Sequence, residues 1–277
     1  MGQTKLNYLY RKNQDLFGSF LNESSVKLGH QDYFGAIESI TKAININNKY
    51  PIPFIRRAEI RFTIKDYKNA NNDLSEAFKL KKNCPENYLF RAYFLAYSIN
   101  KNLENSKDAI INLEKSINLM NLEGIHLKQK YGQYLYEKKG DFLRESGEND
   151  QAISEYSKAI GSYIKAVTLS DPISNTRLHY KRGWLNYHES NYAYAINDFS
   201  IAIKKAKQIY KYHYFMARGF SLIKINNLEA AFEDFKNALE FNQLAIEFYK
   251  EFFLNFVPKE TCDLVVIYFG VNLEKWS

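Results

Sequence analysis

The chain has 277 residues, 45% hydrophobic and 25% charged, a balance that excludes a disordered polymer. With only 12 Gly and 5 Pro, long helices are open to it almost everywhere, and its 22 Tyr and 20 Phe exceed what a single compact core needs. The formal charge of +7 and a pI near 9.0 favour acidic partners, although the cations are scattered and Lys and Asn set among Ile and Tyr are also what AT-rich coding produces.

From the front, Met1 to Tyr10 has no apolar core of signal-peptide length, and Leu6 occupies the place where a myristoylation signal after Gly2 needs Ser or Thr. Leu6, Leu9, Tyr10, Leu16 and Phe17 predict one face of a leading helix, with a break at Lys12 to Asp15. Further on, Asp32-Tyr33-Phe34-Gly35-Ala36-Ile37 is answered by Asp66-Tyr67-Lys68-Asn69-Ala70, 34 residues later. Ala43 and Ala77, Phe20 and Phe54, and Ala58 and Ala92 keep the same offset. Ala109 to Ser116 marks a third second-helix, displaced by an insertion around Lys101 to Ser106. Ala152, Tyr156 and Ala159 follow Gly140 and Gly147; Ala195, Phe199 and Ala202 follow Gly183; Ala231, Phe235 and Ala238 follow Gly219. Small residues at such slots let two helices approach to about 8–10 Å. All five prolines fall between one hairpin and the next, where they start or end a helix cleanly.

This 34-residue period, with its aromatic and small-residue slots, resembles the tetratricopeptide repeat from about Phe17 to Phe241. The resemblance implies an all-α, right-handed solenoid of about six helix pairs. The expected repeats are 17–50, 51–84, 85–121, 125–170, 173–210 and 211–242, in a single domain over 1–277, with helical capping at 243–277. Arg57, Arg91, Arg182 and Arg218 precede or neighbour the small residue of a first helix, and Asp73, Asn112, Asp198 and Asp234 recur on the second. An Arg–Asp bridge across each pair is expected to fix its register, with Lys139 and Glu155 in the fourth repeat. In the tail, Leu264-Val265-Val266-Ile267-Tyr268-Phe269 is apolar all round; it is expected to fold back as a cap, with 264–271 as the alternative contact for a dimer or partner.

No catalytic pattern is present. The five histidines show no metal-ligand spacing, His179 and His188 lie nine residues apart, and neither a phosphate loop nor a nucleophile elbow occurs. No enzyme activity, cofactor, metal or membrane partner is therefore expected. Cys84 and Cys262, too few for a disulfide framework, fit a cytoplasmic protein.

In proteins of the resembled family the first helices line a groove that holds ligands. Carried over, the resemblance places Phe90, Tyr93 and Tyr97 there, then Lys138 and Arg144 with Tyr134 and Asp141. Arg177, Tyr180, Lys181 and Trp184 follow with Tyr187, and Phe220 and Lys224 with Met216. Aromatics mixed with cations suit a peptide or protein with acidic groups, so a non-catalytic binding scaffold is the first expectation. RNA or single-stranded DNA in the same groove is the second. The two-carboxylate clamp of chaperone-tail binders is absent, its slots holding Leu21, Ser25, Arg56, Glu86 and Phe90, or Glu137, Asp141, Lys181, His213 and Ala217.

Overall fold

The computed structural model describes the backbone of residues 2–123, 125–165 and 172–242, and the side chains of 13–122, 127–128, 130–162 and 175–242. Twelve α-helices make six hairpins over this range, with no strand among the described residues. They are α1 (Gly2–Gly29) with α2 (Tyr33–Ile46), α3 (Pro51–Thr63) with α4 (Tyr67–Lys79), and α5 (Glu86–Asn102) with α6 (Ser106–Glu123). Then come α7 (Ile125–Glu145) with α8 (Asn149–Lys165), α9 (Pro172–His188) with α10 (Tyr192–Lys205), and α11 (Lys211–Lys224) with α12 (Leu228–Phe241). Two compact units result, residues 1–127 and 128–277. The expected cap at 243–277, with the 264–271 contact, lies outside the described residues.

One detail differs from expectation. Lys12 to Asp15 does not break the leading helix: α1 runs unbroken for 28 residues, because that stretch contains neither Gly nor Pro. The insertion near Lys101 lengthens the first helix by a turn, giving α5 17 residues against 13 in α3.

Each hairpin turn is built the same way. The residue before the second helix's cap takes a left-handed conformation, at Gln31, Lys65, Glu104, Gly147, Ser190 and Asn226. The amide that follows it donates five residues back, as Asp66 does to the Arg61 carbonyl at 2.8 Å and Asn191 to Asn186 at 2.7 Å. In most turns an Asp or Asn then caps the new helix, Asp32 accepting from the Gly35 amide at 2.9 Å and Asn227 from Ala230 at 3.2 Å.

Inside the hairpins, size is matched pairwise. Gly140, Gly183 and Gly219 each stand sixteen residues before an aromatic, namely Tyr156, Phe199 and Phe235. A Cβ on these glycines would lie 2.7, 2.6 and 2.5 Å from the respective ring. In the first two hairpins the same spacing joins Ser24 to Ile40 and Ala58 to Leu74, all buried, while the third has Tyr97 and Leu113 at that spacing and departs from the match. A ring thus goes with a bare backbone, and an aliphatic side chain with a methyl or hydroxymethyl.

Polar staples then fix the register. Arg57 grips Asp73 with Nη2 at 2.6 Å and Nε at 3.0 Å, while its Nη1 donates to Thr41 of the preceding hairpin at 2.9 Å. Arg182 does the same to Asp198 (2.7 and 2.8 Å) and Ser157 (2.8 Å), and Arg218 to Asp234 (2.7 and 2.8 Å) and Ser200 (2.9 Å). One guanidinium therefore ties three helices, with the bidentate geometry that Arg alone provides. The fourth hairpin has the weaker Lys139–Glu155 pair at 3.8 Å. In the third, the expected Arg91–Asn112 partnership is not made: the extra turn of α5 puts Ala96 sixteen residues before Asn112, and Arg91, five residues earlier, donates to Glu59 at 2.7 Å.

The staples of the fifth and sixth hairpins differ in one partner. Burial pushes the Asp234 carboxyl above its ordinary range, and Arg218 only partly offsets this. Asp198 is buried too, yet hydrogen bonds from His179 (Nδ1 to Oδ1, 2.8 Å) and Arg182 outweigh burial and hold it below that range. Phe54 and Phe215 occupy the slot of His179 in the other stapled hairpins. A depressed carboxyl contributes stability above its unfolded pKa, and that stability is lost as pH falls through the folded value. His179→Phe should therefore raise the Asp198 pKa, as followed by the carboxyl carbon in an NMR titration; an unchanged midpoint would show that Arg182 alone sets it.

Candidate binding site

The richest polar constellation lies in the second unit, where α7 and α9 run side by side. Helical spacing puts Glu137, Asp141 and Arg144 on one face of α7, and Arg177, Lys181, Trp184 and His188 along one face of α9. Between them the charges interlock. Arg177 and Lys181 donate to Glu137 at 2.9 and 2.8 Å, and Lys181 also donates to Asp141 at 2.7 Å. Asp141 accepts a further hydrogen bond from the Tyr156 hydroxyl at 2.8 Å, and Lys138 stands 3.6 Å from it. Burial alone would raise the Asp141 pKa, but the bonds from Lys181 and Tyr156 and their neighbouring charges hold it below the ordinary carboxylate range. The Tyr156 hydroxyl is pushed far up by burial and by that same carboxylate, so it remains a donor.

Beside this ladder is a cavity of about 550 Å³, lined by Arg144, Asn149, Tyr180, Lys181, Trp184, Leu185 and His188. Its wall is aromatic: Tyr180 meets Trp184 edge-on at 6.2 Å, and His188 stacks on the indole at 5.9 Å with the rings inclined by 28°. Arg144 stands at its mouth, 48% exposed, with only a 3.7 Å contact to the adjacent Glu145. Lys181, in contrast, already faces two carboxylates.

The structure thus brings together Arg144, Tyr180, Lys181 and Trp184 and sets Lys138 and Arg177 in the adjoining ladder. It places the other expected groove residues elsewhere. Phe90 is 1% exposed and Phe220 1%, so both belong to the interior, and Tyr93, Tyr97, Tyr187 and Met216 are buried too. Tyr93 stacks on Phe78 at 4.5 Å and Phe220 packs on Phe235 at 5.5 Å. A first helix here is covered by its own partner and by neighbouring hairpins, and its open strip is narrow. Lys224 is exposed on α11 but does not line the cavity. Three lining residues went unpredicted. Leu185 and His188 share the face of Lys181 and Trp184, a signal present in the periodicity, whereas Asn149 comes from a second helix and had none. His179, by comparison, is a buried staple partner. No group of three His, Cys, Asp or Glu side chains suited to a metal occurs among the described residues, nor is any of their helices long and apolar enough to cross a membrane.

No protein-family model and no curated protein sequence matches the chain. Solved structures do. YrrB, described as a TPR protein with an unusual peptide-binding site, is 19% identical over 77% of this chain and 99% of its own, with a TM-score of 0.59. The C-terminal part of a TPR repeat-containing protein from Cytophaga hutchinsonii is 16% identical over 92% and 90%, with a TM-score of 0.59. PilF of Pseudomonas aeruginosa is 13% identical over 87% and 98%, with a TM-score of 0.53. At these identities the likeness is one of architecture: this is a tetratricopeptide-repeat fold.

Lys181 is the centre of the ladder, since it alone touches both of its carboxylates, Glu137 and Asp141. Lys181→Met should lower stability by about 1–3 kcal/mol in urea unfolding, because a buried and a partly buried carboxylate then share fewer donors. A neutral outcome would mean that Arg177 and Lys138 suffice.

Proposed function

We propose that the chain is a non-catalytic scaffold that binds a protein or peptide, with the cavity beside α9 as its anchor point in the second unit. The observation that carries this reading is the pairing of an aromatic wall, Tyr180 and Trp184, with an exposed guanidinium, Arg144, at the mouth. Such a site suits a segment in which an apolar side chain neighbours a carboxylate. The apolar group gains contact area on the indole, and the acid meets Arg144 in the fork geometry that guanidinium favours. Acidic character in the partner is thus assigned to Arg144, because the charges of Lys181 and Arg177 are already matched inside the protein.

That matching also weighs against single-stranded nucleic acid at this site. Glu137 and Asp141 stand where a phosphate backbone would need cations, and stacking on Trp184 would bring phosphates close to them. A cytoplasmic setting belongs to the same reading, supported by a chain with two cysteines far apart in sequence.

An array of short peptides provides the test. Peptides holding an acidic residue within a few positions of an aromatic or aliphatic one should be selected. Their affinity should fall at least about tenfold with Trp184→Ala and with Arg144→Gln, while circular dichroism shows unchanged helix content. Selection that ignores both substitutions, or preferential binding of single-stranded RNA with a steep salt dependence, would contradict the assignment.

A further inference from the structure

The third hairpin has no staple, and the first unit holds a second polar site. Asn112 occupies the slot of Asp73, Asp198 and Asp234, and its amide donates to the Asp108 carbonyl of its own helix at 2.9 Å. Sixteen residues before it, where Arg57, Arg182 and Arg218 stand in the stapled hairpins, is Ala96, and Arg91 lies five residues earlier on α5. It donates to Glu59 of α3 at 2.7 Å and lies over the Tyr88 ring at 5.6 Å. Ser75, whose counterparts Thr41, Ser157 and Ser200 each receive an arginine, donates to the Asn71 carbonyl.

Arg91 meets Arg56, Glu59, Ser24, Ser25 and Thr63 around a cavity of about 270 Å³. Arg56 is half-buried there, and of the arginines among the described residues it alone has no carboxylate within 4.0 Å. Two guanidiniums facing one carboxylate leave an unmatched positive charge in a partly desolvated pocket. Asp73 also faces two guanidiniums, but there Arg57 and Arg61 both stand within hydrogen-bond distance of the carboxylate, at 2.6 and 2.7 Å, whereas Arg56 has no such partner.

We propose that this cavity is a phosphate site, in which Arg56 and Arg91 grip a phosphate monoester or inorganic phosphate. Arg56 supplies an unengaged fork, and Arg91 shifts one of its bonds from Glu59 to the incoming oxygens. Burial raises the Glu59 carboxyl above its ordinary range despite Arg91, so a proton can settle there when a dianion arrives. Two cations then face two negative charges. The phosphate is delivered as a phosphorylated side chain of a peptide or as the free ion, and the chemistry of the pocket is the same for both. The site lies in the first unit and does not depend on the peptide reading of the second.

Calorimetric titration of the full chain with inorganic phosphate and with a short phosphoserine peptide, at ionic strength fixed with chloride, tests this. Saturable binding of at least one is expected, weakened at least about tenfold by Arg56→Gln and by Arg91→Gln. Glu59→Gln should tighten it, a gain that misfolding cannot imitate, and Lys82→Gln on the same unit should leave it unchanged. Tighter binding of the peptide assigns the phosphate to a partner's side chain; tighter binding of the ion assigns it to free phosphate. The proposal is overturned by no saturable binding of either, by binding indifferent to Arg56→Gln, or by a glutamate peptide outcompeting the phosphoserine one.

Discussion

Two helices of a hairpin can cross closely only if the bulk of one is accommodated by the backbone of the other, and the chain meets this constraint in two ways. In the second unit the second helix presents a ring and the first helix presents no side chain at all, at Gly140, Gly183 and Gly219. In the first two hairpins the ring becomes Leu74 or Ile40 and the glycine becomes Ala58 or Ser24. Across these five hairpins volume at the crossing is conserved while its division between the helices changes, which is how cores tolerate substitution. Glycine within a helix costs about 1 kcal/mol relative to alanine. A buried ring offsets that cost, since burying a large apolar side chain contributes about 1.5–3 kcal/mol.

With the crossing distance set, the polar staples come into reach. An arginine one position before the small residue is brought opposite an aspartate on the partner helix, and its remaining nitrogen meets a hydroxyl of the preceding hairpin. Packing thereby specifies where hydrogen bonds form, and the bonds in turn fix rotation and register. The two candidate sites occur where this arrangement is altered. The third hairpin, with Ala96 and Asn112 in the staple slots, supplies Arg91 to the pocket with Arg56, and the weak Lys139–Glu155 pair adjoins the α7–α9 ladder beside the Trp184 cavity.

The architecture was legible because its signals are local and repeat. Spacings of 34 residues, small residues at fixed slots, and the Arg–Asp pairs at Arg57, Arg182 and Arg218 all describe contacts within one hairpin or between adjacent ones. The site was legible only in part. A residue on a helix turns by about 100° per step, so a slot error of one residue carries a side chain from the open strip into the core. Phe90, Tyr93, Tyr97 and Phe220 illustrate this, for aromatic character alone does not distinguish a ring that binds from one that packs. Asn149 entered from a helix outside the groove assignment, and the 34-residue offset from Arg57 to Arg91 does not carry the staple across the extra turn of α5, which moves that slot to Ala96.

The division of volume at the crossing is tested most directly by a double-mutant cycle on Gly183 and Phe199. Gly183→Ala alone places a methyl 2.6 Å from the ring and should destabilise the protein by about 1–3 kcal/mol in urea unfolding. Phe199→Leu alone should cost a similar amount through the space it leaves. The double variant, which recreates the Ala58–Leu74 solution, should recover much of that loss, with a coupling of about 1–2 kcal/mol. Strict additivity of the two losses would contradict the account.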